Sequence, residues 1–274
     1  MKKKFLSLLM AFIMSVPAFA SVAVSPMRVE VNANKVKTNY YTTAIEIKGD
    51  TKEMMRFRAY PGYFKIDDKG EAILLDKSNE PNDLSKKIRF VPSEFNIAPG
   101  KVQKLRINIA GLNLLPDGES RAMLYIEDVN PKELALDTGR QGIGAQLIVK
   151  TRVGVPIYVD KGKFKKQADV EYLNIIKAKN GLFTEMKILS TGNSRIRYDG
   201  KVQIIQGKKL IDEYSIDGVV VGDNNSYVAT DKIRTEKIEQ PGEYTLRMIV
   251  SYYDENGKKK NIKKETILNM QGKV

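Results

Sequence analysis

The chain has 274 residues, contains neither histidine nor cysteine, and carries 46 lysine and arginine residues against 33 aspartate and glutamate residues. The two absences exclude disulfide bonds, thiolate or imidazole metal sites, and catalysis by Ser-His-Asp or Cys-His groups. The formal net charge of +13 suits nucleic acid, anionic lipid or acidic protein groups as partners. Because the lysines are scattered along the chain, charge alone does not select among these partners.

The first 20 residues have the features of an export signal. Lysines at positions 2–4 precede an apolar stretch at residues 5–16, and Ala18 and Ala20 form the small-x-small pattern of a cleavage site. This stretch is too short for a comfortable membrane span, and no later run reaches about 18 apolar residues. We therefore predict cleavage before Ser21 and an exported protein with no membrane insertion and no nucleic-acid partner.

Alternation of apolar and polar residues dominates the first half of the chain. It is clearest at residues 105–109, 122–127 and 147–155, and a period of two is typical of half-buried β-strands. Turn-forming sequences stand between these stretches, including Pro-Gly at residues 61–62 and 99–100. Short strands separated by turns, without long helices, indicate a β-sandwich or barrel.

The second half repeats this pattern. Strands are predicted at residues 181–189, 201–205, 244–253 and 261–268, and the last two form a hairpin over residues 254–257. Residues 160–166 are rich in lysine and glycine and lack apolar alternation, so they are the predicted junction. The sequence therefore predicts an all-β protein with two consecutive β-sandwich domains, at residues 21–159 and 160–274.

Four segments of the first half resemble one known family. They are residues 23–29 (AVSPMRV), residues 90–107 with FVPSEFNIAPG followed by QKLRI at 103–107, residues 115–122 (LPDGESRA), and residues 144–159, ending RVGVPIYV. Their order and spacing resemble those of the periplasmic chaperones of the chaperone–usher pilus pathway. A weaker likeness in the second half lies at residues 190–193 (STGN) and 241–244 (PGEY).

The resemblance implies two immunoglobulin-like domains and a function in pilus (fimbrial) assembly. Chaperones of this family bind pilus subunits, called pilins, that lack their own last strand, and deliver them to an outer-membrane usher. The chaperone lends a strand to the subunit, a mode called donor-strand complementation. The resemblance thus implies a periplasmic binding protein that is no enzyme, with no cofactor and no metal.

The resemblance also implies which residues hold the subunit's terminal carboxylate. Arg28 matches the family's arginine on the first strand. The family's lysine on the last strand of the first domain aligns with Gly154, which is a departure from the pattern. Arg152 and Lys150 lie two and four residues earlier and face the same side of a strand, so Arg152 is the predicted second anchor and Lys150 the reserve. Arginine is well suited to this task because its planar guanidinium binds carboxylates in a bidentate manner.

The predicted donor residues are Ala145, Leu147 and Val149, with Ile143 added if pairing starts earlier. A strand buried in its own sandwich would show the same alternation, and the sequence does not separate the two interpretations.

Other features of the sequence leave alternatives open. Glu119 is either an exposed residue at a strand end, which is the default expectation, or part of a polar contact near the domain junction. The family often has an arginine just after the last strand of the first domain, where Tyr158 and Val159 stand here. An exported surface or adhesive protein and a carbohydrate-active enzyme that uses only carboxylates are the alternative functions.

Overall fold

The computed structural model describes residues 22–49, 53–67, 71–75, 78–130, 132–137, 144–220, 222, 226–233, 238 and 240–270. Regular structure in these residues is almost entirely β-strand, with one-turn 3-10 helices at Ala33–Lys35, Ser85–Lys87 and Leu112–Leu114. The strands of the first half are β1 (Val22–Ser25), β2 (Val29–Asn32), β3 (Tyr40–Gly49), β4 (Met55–Ile66), β5 (Ala72–Leu75), β6 (Ile88–Val91), β7 (Glu94–Ile97), β8 (Val102–Ala110), β9 (Gly118–Asp128), β10 (Lys132–Asp137), β11 (Gly144–Val149) and β12 (Arg152–Lys161). Those of the second half are β13 (Ala168–Ala178), β14 (Gly181–Ser190), β15 (Ile196–Gln206), β16 (Lys209–Val220), β17 (Ser226–Lys232), β18 (Gly242–Tyr253) and β19 (Lys259–Met270).

The first sandwich packs a four-stranded sheet against a six-stranded sheet. The strand order is β1-β3-β8-β6 in the former and β2-β12-β9-β4-β5 in the latter, with β7 also paired to β4. The start of the chain contributes to both sheets, because β1 pairs antiparallel with β3 while β2 pairs parallel with β12. The alternating apolar residues of β8 and β9 lie in the core between the sheets, among them Leu105, Ile107 and Leu124, each fully buried.

The second sandwich is built from the sheets β13-β14-β17 and β16-β15-β18-β19. Its core is formed by residues such as Val170, Ile188, Val202 and Val250, all almost fully buried. The prediction of an all-β fold with two consecutive immunoglobulin-like sandwiches is confirmed. The hairpin predicted at the end of the chain is formed by β18 and β19. The boundary predicted between residues 159 and 160 stays a prediction; β12 runs to Lys161 and β13 begins at Ala168.

A separate hairpin projects from the first sandwich. β10 pairs antiparallel with β11, and in the described part of the chain these two strands form a sheet of their own. The alternating stretch at residues 147–155 is therefore divided between β11 and β12, and Lys150 and Thr151 lie outside both strands. β10 follows β9 and β11 precedes β12 in the chain, so the hairpin lies beyond the end of the β9–β12 pair where Glu127 and Arg152 are partners.

The segment between the sandwiches is held by Asn193, which lies in the connection between β14 and β15. Its side chain accepts a hydrogen bond from the Lys165 amide at 2.7 Å and donates one to the Lys163 carbonyl at 3.1 Å. Its backbone carbonyl accepts a hydrogen bond from the Glu119 amide of the first sandwich at 2.9 Å. One turn of the second sandwich thus binds both the linker and the first sandwich.

Candidate functional site

The candidate site lies on the outer face of the six-stranded sheet, the face turned away from the sandwich core. Alternate residues of β12, such as Val155, Ile157 and Val159, are fully buried in the core, so the residues between them point outward. From the domain junction outward, the paired rows on this face are Asp160 with Glu119, Tyr158 with Arg121, Pro156 with Met123, Gly154 with Tyr125, and Arg152 with Glu127. The outer face therefore has charged residues at both ends and a mostly apolar middle.

A group of ion pairs, here called the junction network, lies where the outer face meets the second sandwich. Arg195 of the second sandwich is 4% exposed and lies 3.2 Å from Glu119 and 3.1 Å from Asp160. Its guanidinium also lies 4.5 Å from the centre of the Tyr158 ring. Burial alone would lower the pKa of Arg195, but Asp160 and Glu119 raise it above its ordinary value. Arg195 thus stays charged and holds the two sandwiches together.

The junction network is extended by other residues on both sides. Arg121 pairs with Glu119 at 3.1 Å, and Lys166 of the linker pairs with Asp160 at 3.1 Å. Burial, and then the charge of Arg195, lower the pKa of Lys166. The Ser194 hydroxyl donates a hydrogen bond to Asp160 at 2.6 Å.

The default expectation of an exposed Glu119 is wrong, because its side chain is fully buried in the junction network. Its alternative, a polar contact near the junction, is what the structure contains. Tyr158 stands where the resemblance placed an arginine, and Arg195 comes from the second sandwich to cover its ring.

Arg28 lies between β1 and β2, at the outer edge of the junction network. Its side chain is 54% exposed, and its Nε lies 3.3 Å from Glu30 Oε1. Glu30 also binds Arg197 at 2.5 Å and Arg195 at 3.4 Å, both from the second sandwich. Burial raises the pKa of Glu30, but the larger combined effect of Arg195 and Arg197 lowers it to about 2. Glu30 therefore stays ionised and connects Arg28 to the second sandwich.

This pairing predicts how stability changes in acid. Folding lowers the pKa of Glu30 from its ordinary 4.5 to about 2. The contribution of Glu30 to the free energy of unfolding is therefore complete above about pH 4.5 and is lost as the pH falls through about 2. We expect the urea midpoint to fall more steeply over this range in the wild type than in Glu30→Gln, which cannot be protonated there. Glu94→Gln, at an exposed glutamate paired with Arg56, is the control and should keep the wild-type profile. Equal slopes for wild type and Glu30→Gln would contradict the prediction.

Arg152 and Lys150 lie at the far end of the outer face and differ in their partners. The Lys150 ammonium lies 2.5 Å from Glu127, which also accepts a hydrogen bond from the Tyr60 hydroxyl at 2.5 Å. These two contacts lower the pKa of Glu127 to about 2, although burial opposes them. Arg152 instead donates to the Tyr60 hydroxyl at 3.2 Å, and its guanidinium lies 4.7 Å from the centre of the Tyr125 ring. Within the described residues Arg152 forms no ion pair, whereas the charge of Lys150 is balanced by Glu127.

Arg28 and Arg152 are separated along the strand. Arg28 precedes Val29, whose register partner is Ile157, so Arg28 lies beside Pro156, four residues from Arg152. At about 3.3 Å per residue this is about 13 Å. Gly154 lies between them, and a Cβ there would be 2.8 Å from the sulfur of Met123. Met123 thus fills the position where the resemblance placed a lysine.

The predicted donor residues Ala145, Leu147 and Val149 lie in β11, and Ile143 lies outside the described residues. β2 pairs with β12 only at residues 157–160. On that side, residues 152–156 of β12 and all of β11 have no strand partner in the part of the chain that the structure describes. A free backbone edge of this kind accepts a further strand from another chain.

Sequence reasoning did not identify Glu30, Arg195, Arg197, Glu127 or Tyr60. Arg195 and Arg197 alternate with buried Ile196 and Tyr198, so a period of two could have assigned them to one face of a strand. Nothing local could have shown that this face meets the first sandwich.

In the described residues, no group of three aspartate or glutamate side chains is placed to hold a metal ion. Those residues also include no helix with the length and apolar character needed to cross a membrane.

No protein-family model and no curated protein sequence matches the chain. Among solved structures, it is similar to the class 5 fimbriae chaperone CfaA, with 12% identity, coverage of 91% of this chain and 98% of that chain, and a TM-score of 0.46. It is also similar to the YadV chaperone, with 10% identity, coverage of 90% of this chain and 100% of that chain, and a TM-score of 0.46. A third similar structure is the CsuC–CsuE chaperone–tip adhesion subunit complex from the archaic chaperone–usher Csu pili of Acinetobacter baumannii. The identity is 12%, the coverage is 89% of this chain and 98% of that chain, and the TM-score is 0.44. Function is therefore inferred from the contacts within this chain.

Proposed function

We propose that the protein is a periplasmic chaperone that binds pilus subunits by donor-strand complementation and delivers them to an outer-membrane usher. It acts by binding, without catalysis, after residues 1–20 are removed as a signal peptide. The two domains are assigned to residues 21–159 and 160–274.

The observation that carries the proposal is the free edge of β11 and β12. β11 pairs with β10 alone, and residues 152–156 of β12 lack a partner on the same side within the described chain. A subunit strand that pairs with this edge gains main-chain hydrogen bonds, while side chains at every second position of β11 enter its open core. The donor positions in β11 are 145, 147 and 149, and position 143 is added if pairing starts earlier.

The outer face next to this edge supplies the cations. Arg28 is more than half exposed and shares its single described carboxylate partner, Glu30, with two other arginines. We assign Arg28 as the residue that binds the subunit's terminal carboxylate. Arg152, at the other end of the apolar strip, binds the same subunit segment further along. Among the described residues it has no carboxylate partner, which favours it over Lys150. Desolvated cation–carboxylate contacts are strong when the cation is an arginine, because its planar guanidinium matches the planar carboxylate.

The test is subunit binding by single variants. Arg28→Ala and Arg152→Ala should each weaken binding of a co-expressed pilus subunit by about 2 kcal/mol or more, about 30-fold. Both side chains are largely exposed in the free protein, so melting temperatures should change little. Affinity purification quantifies the bound subunit, and calorimetry monitors folding.

Arg106→Ala is the matched control, since Arg106 is an exposed arginine of β8 in the other sheet of the same sandwich. It should bind subunit as the wild type does. Normal subunit binding by both Arg28→Ala and Arg152→Ala would refute the assignment of the outer face as the binding surface.

A further inference from the structure

Two arginines from different sandwiches share one carboxylate oxygen. Arg28 Nε lies 3.3 Å and Arg197 Nε lies 2.5 Å from Glu30 Oε1. The two nitrogens are therefore at most about 5.8 Å apart. Charge-assisted N–H···O bonds measure about 2.8 Å, so a single carboxylate can bridge these two guanidinium groups.

Both arginines remain accessible. The Arg28 and Arg197 side chains are 54% and 34% exposed, whereas that of Arg195, which binds three carboxylates, is 4% exposed. Arg28 and Arg197 each contact Glu30 through the Nε atom. In the described residues no other ion pair engages the terminal nitrogens of Arg28 or Arg197, and the two terminal nitrogens of an arginine can bind both oxygens of one carboxylate.

The junction network also has more basic than acidic side chains. Its described ion pairs join five basic side chains to three acidic ones; the basic members are Arg28, Arg121, Lys166, Arg195 and Arg197, and the acidic members are Glu30, Glu119 and Asp160. Since these groups are partly or fully withdrawn from water, the excess positive charge attracts an anion. Arg28 and Arg197 form the accessible end of the network, so the excess positive charge can be reached by an anion there.

We propose that Arg197 is the second anchor of the bound terminal carboxylate, which is thus held by one arginine from each domain. The inference rests on the proposed function and deepens it, because it makes the second domain part of the binding site. Arg152 does not fill this role, since it lies about 13 Å from Arg28 along the strand with Met123 over the intervening Gly154.

The experiment compares two forms of one probe. A 15-residue peptide of alternating valine and threonine, labelled with fluorescein at its amino end, is prepared with a free terminal carboxylate and with a terminal carboxamide. Fluorescence anisotropy gives the affinity ratio of the two forms. This ratio reports the carboxylate contact alone, because a general loss of structure or of strand pairing weakens both forms equally.

We expect the wild type to bind the carboxylate form about tenfold more tightly, and Arg28→Ala and Arg197→Ala to reduce this ratio to about threefold or less. Arg197→Lys keeps the charge but not the planar fork, so its ratio should be intermediate. Arg152→Ala should weaken both forms and leave the ratio unchanged. Arg247→Ala, at a similarly exposed arginine of the second domain paired with Glu265, is the control and should keep the wild-type ratio.

The outcomes distinguish the role of Arg197 from the carboxylate site as a whole. If the wild-type ratio is about ten and Arg197→Ala and Arg197→Lys both keep it, the role of Arg197 is overturned while the proposed function stands. If the wild type binds neither form, or binds both equally, the carboxylate site itself is overturned together with the role of Arg197.

Discussion

Replacing Arg195 with methionine is expected to lower the free energy of unfolding by about 3–5 kcal/mol. The reason is the depth of the side chain in the junction network. Arg195 is 4% exposed, and its carboxylate partners Glu119 and Asp160 have side chains that are 0% and 5% exposed. A methionine fills a similar volume but leaves these carboxylates buried with fewer cations, which is the costly way to break a buried ion pair.

Some compensation remains after the substitution. Glu119 keeps Arg121 at 3.1 Å, and Asp160 keeps Lys166 at 3.1 Å. The backbone amide of residue 195 donates to Glu119 at 2.9 Å, a contact that does not depend on the side chain. For this reason we place the expected loss within the range for a single buried ion pair, although Arg195 binds several groups.

Urea unfolding at neutral pH measures the loss. Arg247→Met is the matched control, because Arg247 pairs with Glu265 on the surface of the same domain, and exposed pairs contribute about 0–1 kcal/mol. The double variant Glu119→Gln with Arg195→Met should be less destabilised than the two single effects added together, with a coupling of about 0.5–3 kcal/mol. An Arg195→Met protein as stable as Arg247→Met would show that the network contributes nothing to folding.

The sequence predicted those parts of the structure that depend on local pattern. The alternation of Leu105, Ile107 and Ile109 correctly predicted a strand, because burial on one face repeats every second residue. The alternation at residues 147–155 correctly predicted strand structure, but it did not reveal the division into β11 and β12.

Contacts between distant parts of the chain were not predictable in this way. Glu119 and Arg195 are 76 residues apart, and no local feature marks them as partners. The same holds for Glu30 and Arg197, and for Lys150, whose charge is balanced by Glu127 of β9. Sequence pattern gives the face of the strand on which a residue lies, but the partner on that face depends on sheet order and domain arrangement.

Leu147→Glu is expected to abolish subunit binding and to leave the free protein folded. Leu147 lies in β11, opposite Leu134 of β10, and this two-stranded hairpin belongs to neither sandwich sheet. Because β11 pairs with β10 in a sheet of its own, we expect a charge at position 147 to leave both sandwich sheets intact. In the proposed complex, by contrast, residue 147 enters the subunit's apolar groove.

An unpaired carboxylate in that groove should cost more than about 4 kcal/mol, which corresponds to a loss of affinity of about 1,000-fold or more. Ile148→Glu is the matched control, because it adds the same charge at the next residue, on the opposite face of β11, where the Ile148 side chain is 61% exposed. Affinity purification with co-expressed subunit measures binding, and circular dichroism of the purified variants measures folding. We expect both variants to keep the native spectrum and only Ile148→Glu to hold subunit. Loss of the native spectrum in Leu147→Glu would mean that residue 147 belongs to the protein's own core, and the donor role of β11 would then be rejected.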